Sequence, residues 1–220
     1  MIETAPILLT LQLAVLTTVI LFFIAIPIAW WLTQKPSIFK TVMEVLVSMP
    51  LVLPPSVIGF YLLMAFSPEA FLAKYMHIRL AFSFEGLLIG SLLYSLPFMV
   101  HPLQSGLTSL PESLKEAAYS LGKSKWETLV KVLLPNIKPS LLTGIILTFA
   151  HTVGEFGIVL MVGGNIPGKT RTAAIAIYDE NDLFHYDTAN KYALVLIGIS
   201  FVVLFSMYFV NRRIRRVDYF

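Results

Sequence analysis

Between Ile7 and Leu32 the sequence carries not one charged side chain, and comparable apolar runs recur as far as Val210. A run of about 20 apolar residues is what an α-helix needs to cross the hydrocarbon core of a bilayer. Backbone groups inside that core must be satisfied internally, so the recurrence of such runs leaves a helical bundle as the natural solution. Only 13% of the residues are charged against 57% hydrophobic, where soluble domains carry roughly 25% charged residues. The chain therefore reads as an all-α membrane protein of about five transmembrane helices. They lie near Ile7–Leu32, Val42–Phe66, Phe84–Leu103, Ser140–Val162 and Tyr192–Val210, in one domain over 1–220. The first run has no basic stretch before it and is far longer than a signal-peptide core, so it is expected to stay as a helix.

Lysine and arginine accumulate on the cytoplasmic side of membrane proteins. With five spans, Lys35 and Lys40, the loop lysines Lys115, Lys123, Lys125, Lys131 and Lys138, and the tail arginines Arg212, Arg213, Arg215 and Arg216 share one side. Lys74, Arg79, Lys169, Arg171 and Lys191 share the other. The imbalance puts the N-terminus outside and the C-terminus in the cytoplasm. Trp30, Trp31 and Tyr208 then fall at the inner interface, where an aromatic belt is expected.

Helix breakers cluster at Pro50, Pro54, Pro55 and Gly59, and again at Gly154 and Gly157. In lipid such breaks persist only where protein or a wet cavity covers the freed backbone. Pro54, Pro55, Gly154 and Gly157 are therefore candidates to line a pathway. Pro27 is read as an ordinary membrane-helix proline. Glu155 is the one carboxylate well inside a span, which makes it a functional candidate by default. A carboxylate facing a path would repel an anion, so the preferred reading is structural: His151 one turn earlier and Arg171 beyond it pair with Glu155 and lock the outer end of the fourth span. The hydroxyls of Thr10, Thr17, Thr18, Ser91, Ser95, Thr148 and Thr152 are read as bonding their own helices or neighbouring ones.

The loop Pro111–Pro135 is too organised for a tether. Leu114, Ala117, Ala118 and Leu121 recur at helical spacing and Gly122 suits a left-handed helix end. Ser124 and Glu127 then form a capping box for a second helix carrying Trp126, Leu129, Val130 and Leu133, which Pro135 closes. Two surface helices lying on the inner leaflet and a docking element for a cytoplasmic partner both fit this helix, glycine, helix pattern.

Glu116-Ala117-Ala118, then Gly122, then Val132-Leu133-Leu134-Pro135 resemble the coupling loop of ABC importer permeases. In that family isoleucine is usual where Val132 stands. Gly154-Glu155-Phe156-Gly157, the run Gly164–Thr172 and Leu51-Val52-Leu53-Pro54-Pro55 are similar to the molybdate, tungstate and sulfate group of those permeases. The resemblance implies a type I importer permease fold, with Glu116, Ala117, Ala118, Leu121, Gly122 and Pro135 coupling to an ATPase. It implies a bacterial cytoplasmic membrane, a second copy of the chain, two ATP-binding cassette subunits, an external substrate-binding protein and molybdate as cargo. Five helices are few to enclose a path, which also favours a symmetric pair. No GxxxxGK[ST] phosphate loop is present, so nucleotide chemistry is expected on a partner and the chain is read as no enzyme. With no cysteine and four scattered histidines, no metal or other cofactor is expected, nor a nucleic-acid partner. A secondary transporter, the competing class, would be expected to show internal repeats and paired membrane carboxylates, and neither is seen.

Reporters fused after Lys125 and after Phe220 are expected to read cytoplasmic, and one inserted near Met76 external. An external reading at Lys125 would overturn the five-span orientation.

Overall fold

In the computed structural model, which describes residues 3–67 and 80–217, every regular element is helical. Lys74, Met76 and Arg79, and the side chains of the tail arginines, lie outside the described residues. Three helices are long and apolar enough to cross a membrane unaided: α1 (Ala5–Leu32), α4 (Phe84–Thr108) and α10 (Tyr186–Val217, apolar to Val210). Between them stand α2 (Ile38–Val52), α3 (Pro55–Phe66), α5 (Glu112–Ser120), α6 (Lys125–Asn136), α7 (Lys138–Val153), α8 (Gly157–Gly163) and α9 (Ala173–Asp182).

Two of the expected spans are not single helices. Val42–Phe66 is α2 and α3, which meet at 111°. Leu53 and Pro54 are extended there, since the residue before a proline is pushed out of the helical region, and the adjacent prolines offer no N–H to carry the ladder on. Ser140–Val162 is α7 and α8, interrupted over Gly154–Phe156. By contrast α1 runs through Pro27 and α4 through Pro97 and Pro102 without ending.

The centre of the bundle is α1, α4 and α7, packed pairwise, with α10 against α7 and α9. At one end Leu21, Ala25 and Ala29 of α1 pack with Met99, Val100 and Leu103 of α4 and with Leu129 and Leu133 of α6. At the opposite end Leu13, Leu87, Val159 and Ile175 form a second core. α4 and α7 approach closely because Gly144 has no side chain: a Cβ there would sit 2.9 Å from Leu103 Cδ1. Much of α2, α3 and α10 leaves large apolar side chains uncovered, among them Val45, Phe60, Phe201 and Phe205, as a lipid or partner-facing surface would.

Candidate functional site: a broken-helix groove and a coupling loop

The loop between α4 and α7 is a pair of helices joined by a tight cap. α5 ends in a Schellman motif: Gly122 takes φ +76°, its N–H donates to Tyr119 O at 2.9 Å, and Lys123 N–H donates to Ala118 O at 3.1 Å. Ser124 and Glu127 make the reciprocal capping box that starts α6. Lys131 donates to Glu127 at 2.8 Å and holds that carboxyl well below its usual range, at about 2. Glu116 and Ala117 are exposed, and Leu121 is 79% exposed.

Two details differ from the sequence reading. The expected stripe of Leu114, Ala117, Ala118 and Leu121 divides: Leu114 and Ala118 turn toward the protein, while Ala117 and Leu121 form an uncovered strip. One apolar stripe on a nine-residue helix is wide enough to serve two surfaces. Pro135 does not close α6 either. The helix widens into a π-turn over Leu129–Leu133, continues through Pro135 to Asn136, and breaks at Ile137, where α7 leaves at 82°. Pro135 lies just past the π-turn, in the last turn of α6. Trp126 of α6 lies edge-on to Trp30 of α1, with centroids 6.5 Å apart.

At the other end the two helix breaks meet. A Cβ on Gly157 would lie 2.7 Å from Pro55 Cβ, so the start of α8 sits directly on the start of α3. An open cavity of about 650 Å³ occupies the junction, lined in part by Pro55, Tyr94, His151, Gly154, Glu155 and Gly157. Three of the four pathway candidates from the sequence thus share one wall, while Pro54 caps α3 and is not among the lining residues.

The expected pairing of Glu155 does not occur. Arg171 instead bonds Asp179 at 3.1 Å and Glu180 at 3.7 Å, because α9 folds those carboxylates over the loop that carries it. His151 turns to α4, its Nδ1 3.0 Å from Ser95 Oγ. Glu155, 4% exposed, receives one hydrogen bond, from Ser91 Oγ at 2.8 Å, and its Oε1 has no partner among the described residues. Ser91 and Ser95 on α4 therefore face Glu155, His151 and Thr152 across a polar seam. Thr10, Thr18 and Thr152 donate to carbonyls of their own helices. The hydroxyls of Thr17 and Thr148 are buried with no hydrogen-bond partner among the described residues.

Sequence reasoning missed a second cavity, of about 490 Å³, nearer the coupling loop. Leu51, Phe98, His101, Ser105, Ser140 and Thr143 are among its lining residues. The rings of Phe98 and His151 stack at 3.9 Å, 25° from parallel, with Tyr94 4.8 Å from the same imidazole. Phe98 faces one cavity and His151 the other, so the stack stands between them. The available signal was spacing: Tyr94, Phe98, His101 and Ser105 fall on one face of a helix.

The sequence from residue 22 to 216 matches the family profile of the binding-protein-dependent transport system inner membrane component. The chain belongs to that family of permeases. It is 44% identical over 214 residues to the molybdenum transport system permease protein ModB of Azotobacter vinelandii, covering 96% of this chain and 95% of that one. It is 33% identical over 192 residues to the sulfate transport system permease protein CysT of Escherichia coli (strain K12), covering 86% and 69%. Among solved structures, the bacterial ABC transporter that imports the acidic polysaccharide alginate aligns with a TM-score of 0.79 at 16% identity, over 96% of this chain and 79% of that one. The MetNI methionine ABC transporter aligns at 0.73 and 18%, over 94% of both chains. This is an all-α ABC importer permease.

Ser91→Ala removes the only hydrogen bond that the buried Glu155 carboxyl receives among the described residues, a loss worth about 1–3 kcal/mol. The thermal midpoint of the purified protein should fall, and Ser206→Ala, at an exposed site, should leave it unchanged. Glu155→Gln breaks no ion pair and keeps an acceptor for Ser91, so its midpoint should stay near or above that of the parent. A large loss in Glu155→Gln would restore the ion-pair reading.

Proposed function

We propose that this chain is the membrane-spanning subunit of an ATP-driven importer that brings molybdate into the cytoplasm. Two copies form the path between them, with two ATP-binding cassette subunits at α5 and an external binding protein at the opposite end. The observation that carries the substrate is the 44% identity to a molybdenum permease along nearly the whole of both chains. Identity to sulfate permeases is lower, at 33%, and covers less of them. Tungstate and sulfate, tetrahedral dianions of the same chemistry, are the competing cargoes.

The exposed Ala117–Leu121 strip supports docking, because it is shallow, ends in a rigid cap and is left uncovered by the rest of the chain. ATP-driven closure of a partner pair can bias the permease only through contacts that differ between its two states. α5 is the element placed to carry such contacts, and α6 passes the displacement to the core of α1 and α4 through Leu129 and Leu133. The Phe98–His151 stack is the closure that this displacement would open. ATP hydrolysis belongs to the partner subunits. The N-terminus is external, and the protein lies in the bacterial inner membrane.

The test is the reconstituted complex in vesicles. Binding protein loaded with molybdate should stimulate ATP hydrolysis and uptake more than binding protein offered sulfate at equal concentration. Preference for sulfate would reassign the cargo, and no stimulation by any oxyanion would end the reading.

Gly122→Val puts a β-branched residue at a positive φ, which it adopts with difficulty. Glu116→Lys reverses an exposed charge. Both variants should insert and bind the loaded binding protein, yet lose at least tenfold in uptake, with ATPase subunits either released or unstimulated. Full uptake by both would leave α5 as a surface helix only.

A further inference from the structure

Along the groove between α4 and α7 most hydroxyls are already committed. Ser91 donates to Glu155, Ser95 is shared between His151 and Thr152, Thr152 donates to Thr148 O, and Thr143 donates to Pro139 O at 2.8 Å. Thr148 is wholly buried, out of reach of any passing ligand. Ser105 and Ser140 are different. Both line the cavity nearer the coupling loop, Ser105 exposed and Ser140 half-buried, and neither hydroxyl has a partner among the described residues.

Their placement is built rather than incidental. Gly106, next to Ser105, leaves the space that Ser140 fills: a Cβ at 106 would lie 2.5 Å from Ser140 Oγ. The glycine therefore seats one hydroxyl against the helix that carries the other. Ser140 is also in the first turn of α7, where its backbone N–H has no acceptor within the helix. The 16-residue length of α7 directs the positive end of its dipole toward the same place. His101 completes the wall. Ser48 spends its hydroxyl proton on Glu44 O at 2.7 Å, so its lone pair 3.1 Å from His101 Nε2 accepts the imidazole N–H. That holds the ring in place and leaves the hydroxyls as the free side-chain donors of the cavity.

We propose that Ser105 and Ser140 form a transit site for a tetrahedral oxyanion, which they hold by neutral hydrogen-bond donors before release at the coupling-loop end. The proposal rests on the oxyanion-permease reading and extends it to named contacts. Neutral donors suit passage: no lysine or arginine is among the residues lining this cavity, and a fixed cation in a medium of low dielectric would hold a dianion too tightly to let it leave.

The absence of cysteine from the chain gives a clean test. Ser105→Cys and Ser140→Cys are introduced singly into the intact complex in vesicles, and labelling of the permease by a small charged thiol reagent is timed. The arms are ATP plus binding protein with molybdate, with sulfate, or with no oxyanion. During molybdate turnover both cysteines should label at least threefold more slowly than without oxyanion, and Ser206→Cys on α10 should label at one rate throughout. The double variant Ser105→Ala with Ser140→Ala should raise the KM for uptake at least fivefold and still bind ATPase subunits and loaded binding protein. Equal labelling rates in all arms, together with parental KM in the double variant, would overturn the site. Molybdate uptake by the parent complex in the same vesicles separates the two failures: if it proceeds, only the transit site is lost, and if it is absent, the permease reading itself fails.

Discussion

An apolar medium offers a peptide group no alternative partner, and that constraint orders this molecule. A helix can break inside it only where the freed N–H and C=O groups are covered by protein or open to a wet cavity. Here the two principal breaks, at Leu53–Pro54 and at Gly154–Phe156, come to the same place. Gly157 makes this possible by letting Pro55 approach to within contact of its backbone. The cavity at that junction is thus a consequence of two interrupted ladders that share one solution. Prolines at 27, 97 and 102 delete single donors within continuous helices, and Pro97 and Pro102 line the second cavity without ending α4.

The second organising element is the seam between α4 and α7. Ser91 and Ser95 are four residues apart on α4, and they meet His151 in the last turn of α7 and Glu155 in the break that follows it. Hydrogen bonds of this kind fix the rotation of one membrane helix against another, although each contributes only about 0.6–2 kcal/mol. Because the same seam holds His151 against Phe98, it also sets the state of the aromatic stack that separates the two cavities. A shift of α7 by a fraction of a turn would exchange these partners together. On the proposed reading, stability and gating therefore draw on one set of contacts.

Much of this was legible in the sequence wherever a residue type admits one local solution. Gly122 before a capping box could only end one helix and begin another, and its φ of +76° does so. The density of breakers at 50–59 and 154–157 likewise marked irregular backbone. What could not be read was which neighbour a side chain would choose. Arg171 was assigned to Glu155 by proximity along the chain, yet Asp179 and Glu180 reach it first because α9 folds back. Ala117 and Ala118 stand together in the sequence but look in different directions, since a helix turns 100° per residue. Phe98 escaped notice because an aromatic residue in an apolar run carries no mark until His151 is seen stacked on it.

A carboxylate near an anion's path looks like an error of design, and its surroundings explain why it is tolerable. Glu155 is almost wholly covered, with Ser91 on one oxygen, and only a small part of it reaches the cavity wall. Repulsion of a dianion there is strongest when the cavity is dry, because the interaction scales inversely with the local dielectric constant. An open, wet cavity of about 650 Å³ weakens it. The free hydroxyls lie at the other end, beyond the Phe98–His151 stack. With no fixed cation lining either cavity, the permease itself contributes little affinity. On the proposed reading, tight selection is made before the anion enters, and the energy that parts the stack arrives through α5 and α6.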